Sequence, residues 1–229
     1  MDMYNSHIEP GCGDMVSQPD SFPKVRSLVI GITGGIATGK STICAMFKEL
    51  GAQVISADEI AHRLMEPHTD TWKSIIDEFG IGFLNDDDTI NRRKLGAIVY
   101  ADAGKLRRLE EIIHPQVLEY LAQKSAEFRS SGNGILILEF PLLIETSSQY
   151  MVDKVIVAAA EQKTQIERLY NRYGISEDEA LLRIKSQIPI KEKEKFADWV
   201  INTEESIIST KELIYRIWCT FQNMLAHTK

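Results

Sequence analysis

Apolar positions along this chain follow two rhythms. Leu28-Val29-Ile30-Gly31-Ile32 and Ile135-Leu136-Ile137-Leu138 are unbroken apolar runs, short enough for strands buried on both faces. Ala52 to Ser56, Lys154 to Ala158 and Trp199 to Asn202 predict three further strands. Between the strands, helical spacing takes over. It predicts helices over Lys40–Leu50 (stopped by Gly51), Glu59–Glu66, Thr71–Phe79, Asn91–Tyr100 and Lys105–Phe128. More follow at Glu161–Tyr173 (closed by Gly174), from Ser176 to about Gln187, and at Ile207–Leu225. Ser176 with Glu179 reads as a capping box, and Pro115 predicts a kink or a division of its helix. Strands alternating with helices predict a mostly parallel sheet covered on both faces, with ligands at the carboxyl ends of its strands.

The first of those ends carries the most informative residues. From Gly34 the order Gly34-Gly35-Ile36-Ala37-Thr38-Gly39-Lys40-Ser41-Thr42 has the spacing G-x-x-x-x-G-K-S, a phosphate-binding loop between strand and helix. The glycines let the backbone curl so that successive N–H groups point at a phosphate chain, and the helix N-terminus adds its free donors and positive dipole end. Lys40 can reach the β- and γ-phosphates, and the Ser41 hydroxyl is placed to ligate Mg²⁺. A nucleoside triphosphate is the ligand this pattern calls for.

Three carboxylate or amide positions sit at other strand ends. Asp58 follows the second strand, where it can orient an attacking hydroxyl or accept its proton, cap the next helix, or do both. Glu139 follows an apolar strand, where an acid holds Mg²⁺ through water or is an ordinary strand-end group; Asn202 ends the last strand. Arg168 and Arg172, four apart, share a helix face, and Arg183 lies on the next helix. They form either a hairpin that closes over ATP or a solvated face with Arg168 paired to Glu161 or Glu167. His114, in an apolar helix before Pro115, reads as a core residue, and Glu145 as structural. The alternating run Lys191-Glu192-Lys193-Glu194-Lys195 predicts an exposed helix face.

Composition narrows the class. A chain of 229 residues, 44% apolar and 26% charged, is long enough for one sizeable α/β core. Its net charge of −7 argues against a nucleic-acid coat. No apolar run reaches the roughly 20 residues that span a bilayer. Three scattered cysteines, Cys12, Cys44 and Cys219, suit a reducing cytosol. Residues 1–27, aperiodic and holding three prolines, are expected to be a disordered leader. A guanine-reading N/T-K-x-D motif, which a GTPase switch carries, is absent; a nucleoside or nucleotide kinase and a nucleotide sensor remain alternatives.

The ordered series of motifs resembles the dephospho-coenzyme A kinase family. The resemblance runs from about Leu28 to Phe221. It rests on the phosphate loop, Ser56-Ala57-Asp58-Glu59-Ile60-Ala61-His62, Arg92 and Leu95 before Ile98-Val99-Tyr100, and Leu109-Glu110-Glu111-Ile112-Ile113-His114-Pro115. Pro141-Leu142-Leu143-Ile144-Glu145, Gln165 to Leu169 with Arg172, Glu179-Ala180 with Arg183-Ile184 and Gln187, and Ala197-Asp198-Trp199-Val200-Ile201-Asn202 complete it. The resemblance implies a P-loop NTPase-type three-layer α/β/α domain over residues 28–226. It also implies a helical substrate-binding subdomain at about 65–130 and a helical lid at about 163–188. It implies ATP- and Mg²⁺-dependent phosphorylation of the ribose 3′-hydroxyl of dephospho-coenzyme A by a cytoplasmic monomer or weak homo-oligomer, with no nucleic-acid or membrane partner.

By match of position, Asp58 stands at the family's candidate base, Arg168 and Arg172 at its lid arginines, and Asn202 near the adenine. Arg92 and His114 are expected along the second substrate. Ala37-Thr38, Glu139-Phe140 and Thr203-Glu204-Glu205 depart from the family's more usual Gly-Ser, Asp-small and Asn-Ser/Gly.

Overall fold

In the computed structural model, which describes residues 27–131 and 134–227, the first apolar run becomes β1 (Ser27–Gly34), the middle strand of the sheet. The leader expected at 1–27 lies outside the described residues, except for Ser27, which opens β1. The chain continues through α1 (Lys40–Glu49), β2 (Gln53–Ser56), α2 (Ala57–Leu64), α3 (Asp70–Phe79), α4 (Arg92–Val99) and α5 (Ala103–Ser131). Then come β3 (Gly134–Glu139), β4 (Lys154–Ala159), α6 (Gln162–Tyr173), α7 (Glu177–Lys185), α8 (Ile190–Glu194), β5 (Trp199–Asn202) and α9 (Ile207–His227). The five strands lie in the order β2-β3-β1-β4-β5, and every neighbouring pair is parallel.

Alternation along the strands builds the two faces. Ile30, Ile32, Ile135, Ile137 and Ile156 pack with Ile43 and Phe47 of α1 and Ile214, Ile217 and Phe221 of α9. Val29, Leu136, Leu138, Val155 and Val157 face the other way, onto Ile60 of α2, Val117 and Leu121 of α5, and Leu143. Two smaller cores stand apart. Ile75, Ile90, Leu95 and Val99 hold together the helices between β2 and β3, and Leu169, Ile175 and Ala180 hold the α6–α7 hairpin. Ile36 and Ala37 of the glycine loop pack against that hairpin core. Because all strands run one way, Gly34, Glu139, Ala159 and Asn202 reach the same edge of the sheet.

At four places the structure refines or departs from sequence expectation. Pro115 lies inside α5 and does not divide it. One missing N–H costs a hydrogen bond, but Val117, Leu121 and Phe128 beyond it are buried against the sheet layer and keep the helix whole. Ser176 does cap α7, accepting from the Glu179 N–H at 3.2 Å. The Glu179 carboxylate, however, turns to Arg183 at 2.6 Å rather than back to the cap, which leaves half a capping box. Helix α2 starts at Ala57 with Ser56 as its N-cap residue, so Asp58 is not the cap.

The fourth departure is the alternating charge run. Lys191 and Lys195 are exposed as expected, yet Lys193 is 0% exposed because α8 packs onto β1 and β4. Its Nζ donates to the Pro141 carbonyl at 2.6 Å and pairs with Glu145 at 2.8 Å. Burial pulls the Lys193 pKa down, and the Glu145 carboxylate opposes the shift. Glu145 Oε2 is itself buried without a hydrogen-bond partner. Removing the lysine alone would therefore strand a carboxylate. Lys193→Met is expected to cost about 3–5 kcal/mol in urea unfolding, whereas adding Glu145→Leu should recover most of that loss. Equal stability of the single and double variants would contradict a charge-pair role.

Candidate active site

Steric limits set the glycine loop first. Gly34 has φ +145°, and a Cβ there would lie 2.3 Å from the Ala158 carbonyl oxygen, so no side chain fits. Ala37 takes a left-handed φ of 58° without being glycine, and Gly39, φ +86°, ends the loop as the N-cap of α1. The loop's carbonyls are then taken up by protein donors. Lys40 Nζ donates to Gly35 O (2.7 Å) and Gly34 O (3.2 Å), and Thr38 Oγ1 donates to Gly35 O (2.8 Å). Gln165 Nε2 donates to Ile36 O (2.6 Å) and Arg168 Nη1 to Ala37 O (3.1 Å). Among the described residues the N–H groups of Gly39, Lys40 and Ser41 have no acceptor. They stand at the start of α1, where the helix dipole favours an anion.

Charge is concentrated around that helix end. Lys40 is buried, and burial lowers its pKa to about 8; the Asp58 and Glu139 carboxylates oppose the shift, while Lys193 adds to it. The Ser41 hydroxyl donates to Glu139 Oε1 at 2.7 Å, which joins the first turn of α1 to the buried end of β3. A hydroxyl and a carboxylate are the hard oxygen donors Mg²⁺ takes. The described residues hold no group of three His, Cys, Asp or Glu that could close around a metal. The set therefore fits Mg²⁺, which usually keeps waters and phosphate oxygens as its other ligands, better than a metal that needs an all-protein cage.

A cleft of about 810 Å³ opens over the loop, lined by Lys40, Ser41, Glu139 and Asp58 at one part and by Arg168, Arg172, Thr203 and Glu205 at others. Asp58, in the first turn of α2, is exposed, and its carboxylate makes no hydrogen bond or ion pair within the described residues. Arg168 is not on a solvated face. It ties the loop to the segment after β5, donating also to Thr203 Oγ1 (3.0 Å) and Thr203 O (2.8 Å), and it pairs with neither Glu161 nor Glu167. Arg172 is exposed in the cleft beside the Tyr173 ring.

Of the expected loop residues, Ile36, Ala37, Gly39, Lys40, Ser41 and Thr42 line the cleft, while Gly34, Gly35 and Thr38 shape the turn behind them. Four expected groups lie elsewhere. Asn202 turns its Oδ1 to the Glu204 N–H (3.0 Å), outside the cleft, and leaves that end to Thr203 and Glu205. Arg183 does not line the cleft; it pairs with Glu179 and lies 5.1 Å over the ring of Tyr100, which does. His114 is half-buried on α5 and does not line the cleft, and burial lowers its pKa. Arg92 is exposed at the start of α4, and after burial its charge is the next cause of a lowered His62 pKa.

Gln165, Gln187 and Thr203 carry polar contacts that pattern reading did not assign. Gln165 did leave a signal. It shares the buried stripe of α6 with Leu169, and an amide on such a stripe needs polar partners.

A phosphate loop closing the central strand of a parallel sheet, with a buried lysine and a serine–carboxylate pair at the helix start, defines a nucleotide-binding protein of the P-loop class. The family model for dephospho-CoA kinase matches residues 28–209, and the chain belongs to that family. A dephospho-CoA kinase of Carboxydothermus hydrogenoformans is 43% identical over 189 residues, 82% of this chain and 92% of that one. Among solved structures, a Thermus thermophilus protein (27% identity, TM-score 0.69) covers 89% of this chain and 99% of its own. Dephospho-CoA kinase from Campylobacter jejuni, 27% identical with TM-score 0.58, covers 86% and 98%.

Lys40 yields a pH prediction. A bound phosphate chain favours its charged form, so above pH 8, where the free group loses its proton, binding must restore it. Affinity for a non-hydrolysable ATP analogue should fall as pH rises past about 8, approaching tenfold per pH unit, with proton uptake visible by calorimetry in two buffers. Affinity that is flat from pH 7 to 9.5 would contradict it.

Proposed function

We propose that this protein transfers the γ-phosphoryl group of ATP to the ribose 3′-hydroxyl of dephospho-coenzyme A, giving coenzyme A and ADP. The observation that carries the reading is an unpaired Asp58 carboxylate in the same cleft as the Lys40 loop, in a chain of this family. The loop amides and Lys40 grip the β- and γ-phosphates. Ser41 directly, and Glu139 through water, would hold Mg²⁺, whose charge when bound offsets that of the phosphates.

Asp58 accepts the 3′-hydroxyl proton as the alcohol oxygen bonds to the γ-phosphorus. The bond to the β–γ bridging oxygen breaks, and ADP leaves. Arg172, exposed in the cleft, and Lys40 stabilise charge on the moving group, while Arg168 holds Ala37 and Thr203 in place. Thr203 and Glu205, rather than Asn202, border the base. The remainder of the second substrate runs toward the α2–α5 helices, which carry Arg92 and His114. The α6–α7 hairpin acts as the lid, and closure excludes water that would hydrolyse ATP.

The same reading makes the protein a cytoplasmic monomer or weak homo-oligomer acting on two small molecules, without nucleic acid or membrane. A net charge of −7 disfavours a nucleic-acid partner, and no described helix is long and apolar enough to cross a membrane.

The test offers the protein Mg·ATP with dephospho-coenzyme A, nucleosides and nucleoside monophosphates, and locates any new phosphate. Phosphate on the 3′ position of dephospho-coenzyme A is expected; transfer only to a nucleoside or a monophosphate would contradict the reading. In the same assay Asp58→Asn should lower kcat by about 10² or more with ATP-analogue affinity nearly unchanged. A variant that turns over normally would remove Asp58 from the chemistry.

A further inference from the structure

Ile36 is held on both sides of its backbone. Its N–H donates to Gln187 Oε1 at 2.8 Å, and its carbonyl accepts from Gln165 Nε2 at 2.6 Å. Each partner fixes the other's orientation, because an N–H can meet only the amide oxygen and a carbonyl only the amide nitrogen. Gln165 is buried to 3% exposure, and a Cβ on Gly35 would come within 2.7 Å of its Nε2, so the neighbouring glycine makes room for it. The contact is not only polar. Ile36 and Ala37 pack against Leu169, Ile175 and Ala180, the small core of the α6–α7 hairpin. Hydrogen bonds from α6 and from the segment after α7 thus converge on the residue that precedes the left-handed turn at Ala37.

We propose that Gln165 and Gln187 are positioning residues that clamp Ile36 between the two arms of the hairpin and so set the aim of the Gly39, Lys40 and Ser41 amides. A peptide free to rotate at Ile36 would turn the loop's next residues with it. The clamp ties the roots of both hairpin arms, where Gln165 and Gln187 lie, to the phosphate loop and leaves the Gly174 end free to close over ATP. It rests on the reading that the loop holds a triphosphate.

The experiment uses the full chain and a non-hydrolysable ATP analogue. Gln165→Met and Gln187→Met, each with a near-normal Tm, should raise the analogue's Kd about tenfold, the equivalent of about one lost hydrogen bond. At saturating ATP, kcat should fall about threefold or less, so that KM carries the change. The double variant should lose less than the product of the singles, since both side chains hold one residue. Kd values within about twofold of wild type in folded variants would overturn the clamp.

Should the variants fold poorly, wild-type hydrogen exchange decides. The Ile36 amide is expected to exchange at least about tenfold more slowly than the Lys40 amide, and equal exchange would overturn the proposal. A wild-type protein that binds no analogue, yet protects Ile36, would count against the triphosphate reading and leave the clamp standing.

Discussion

A loop that binds phosphate through its own N–H groups must first dispose of its carbonyls. Each carbonyl oxygen that faced the ligand would repel the charge the amides attract. Here the oxygens of Gly34, Gly35, Ile36 and Ala37 are all taken by protein donors: Lys40, Thr38, Gln165 and Arg168. Those donors come from α1, from the loop itself and from α6. The loop therefore exists in this shape only because the sheet order puts β4, and the helix that follows it, beside β1. The left-handed turn at Ala37 and the close approach of Gly34 to β4 belong to the same constraint.

Electrostatics extend that constraint across the sheet edge. Lys40, Lys193, Glu139 and Asp58 are near enough to shift the Lys40 proton affinity in opposite directions. Lys193 is held by Glu145 and by the Pro141 carbonyl, which also accepts from Thr33 of β1. The segment from Glu139 to Glu145 is thereby pinned to both α8 and β1. Pro141 and Leu142 line the cleft, so the buried ion pair fixes part of the cleft floor as well as the packing beneath it.

Much of this was legible in the sequence, for identifiable reasons. The strands were readable because parallel, doubly covered strands are nearly all apolar. The loop was readable because its glycines, Lys40 and Ser41 occupy fixed offsets. Position along a strand does not say which way its last residue turns: Asn202 bonds the Glu204 N–H, and Thr203, next along, lines the cleft. Lys193 was misread because charge alternation looks the same whether a short helix lies in solvent or against a sheet. Pro115 does not divide its helix because the turns beyond it are held by burial, which a rule about one hydrogen bond does not weigh. Contacts such as Gln187 to Ile36 join residues 151 positions apart, and no local pattern announces them.

The most direct measurement is a heteronuclear NMR titration of the isotope-labelled protein with Mg²⁺ and a non-hydrolysable ATP analogue. The account predicts large downfield shifts of the Gly39, Lys40 and Ser41 amide protons as they bond to phosphate, with the Ile36 amide little moved. Nucleotide-dependent shifts confined to other parts of the chain, with those three amides silent, would contradict it.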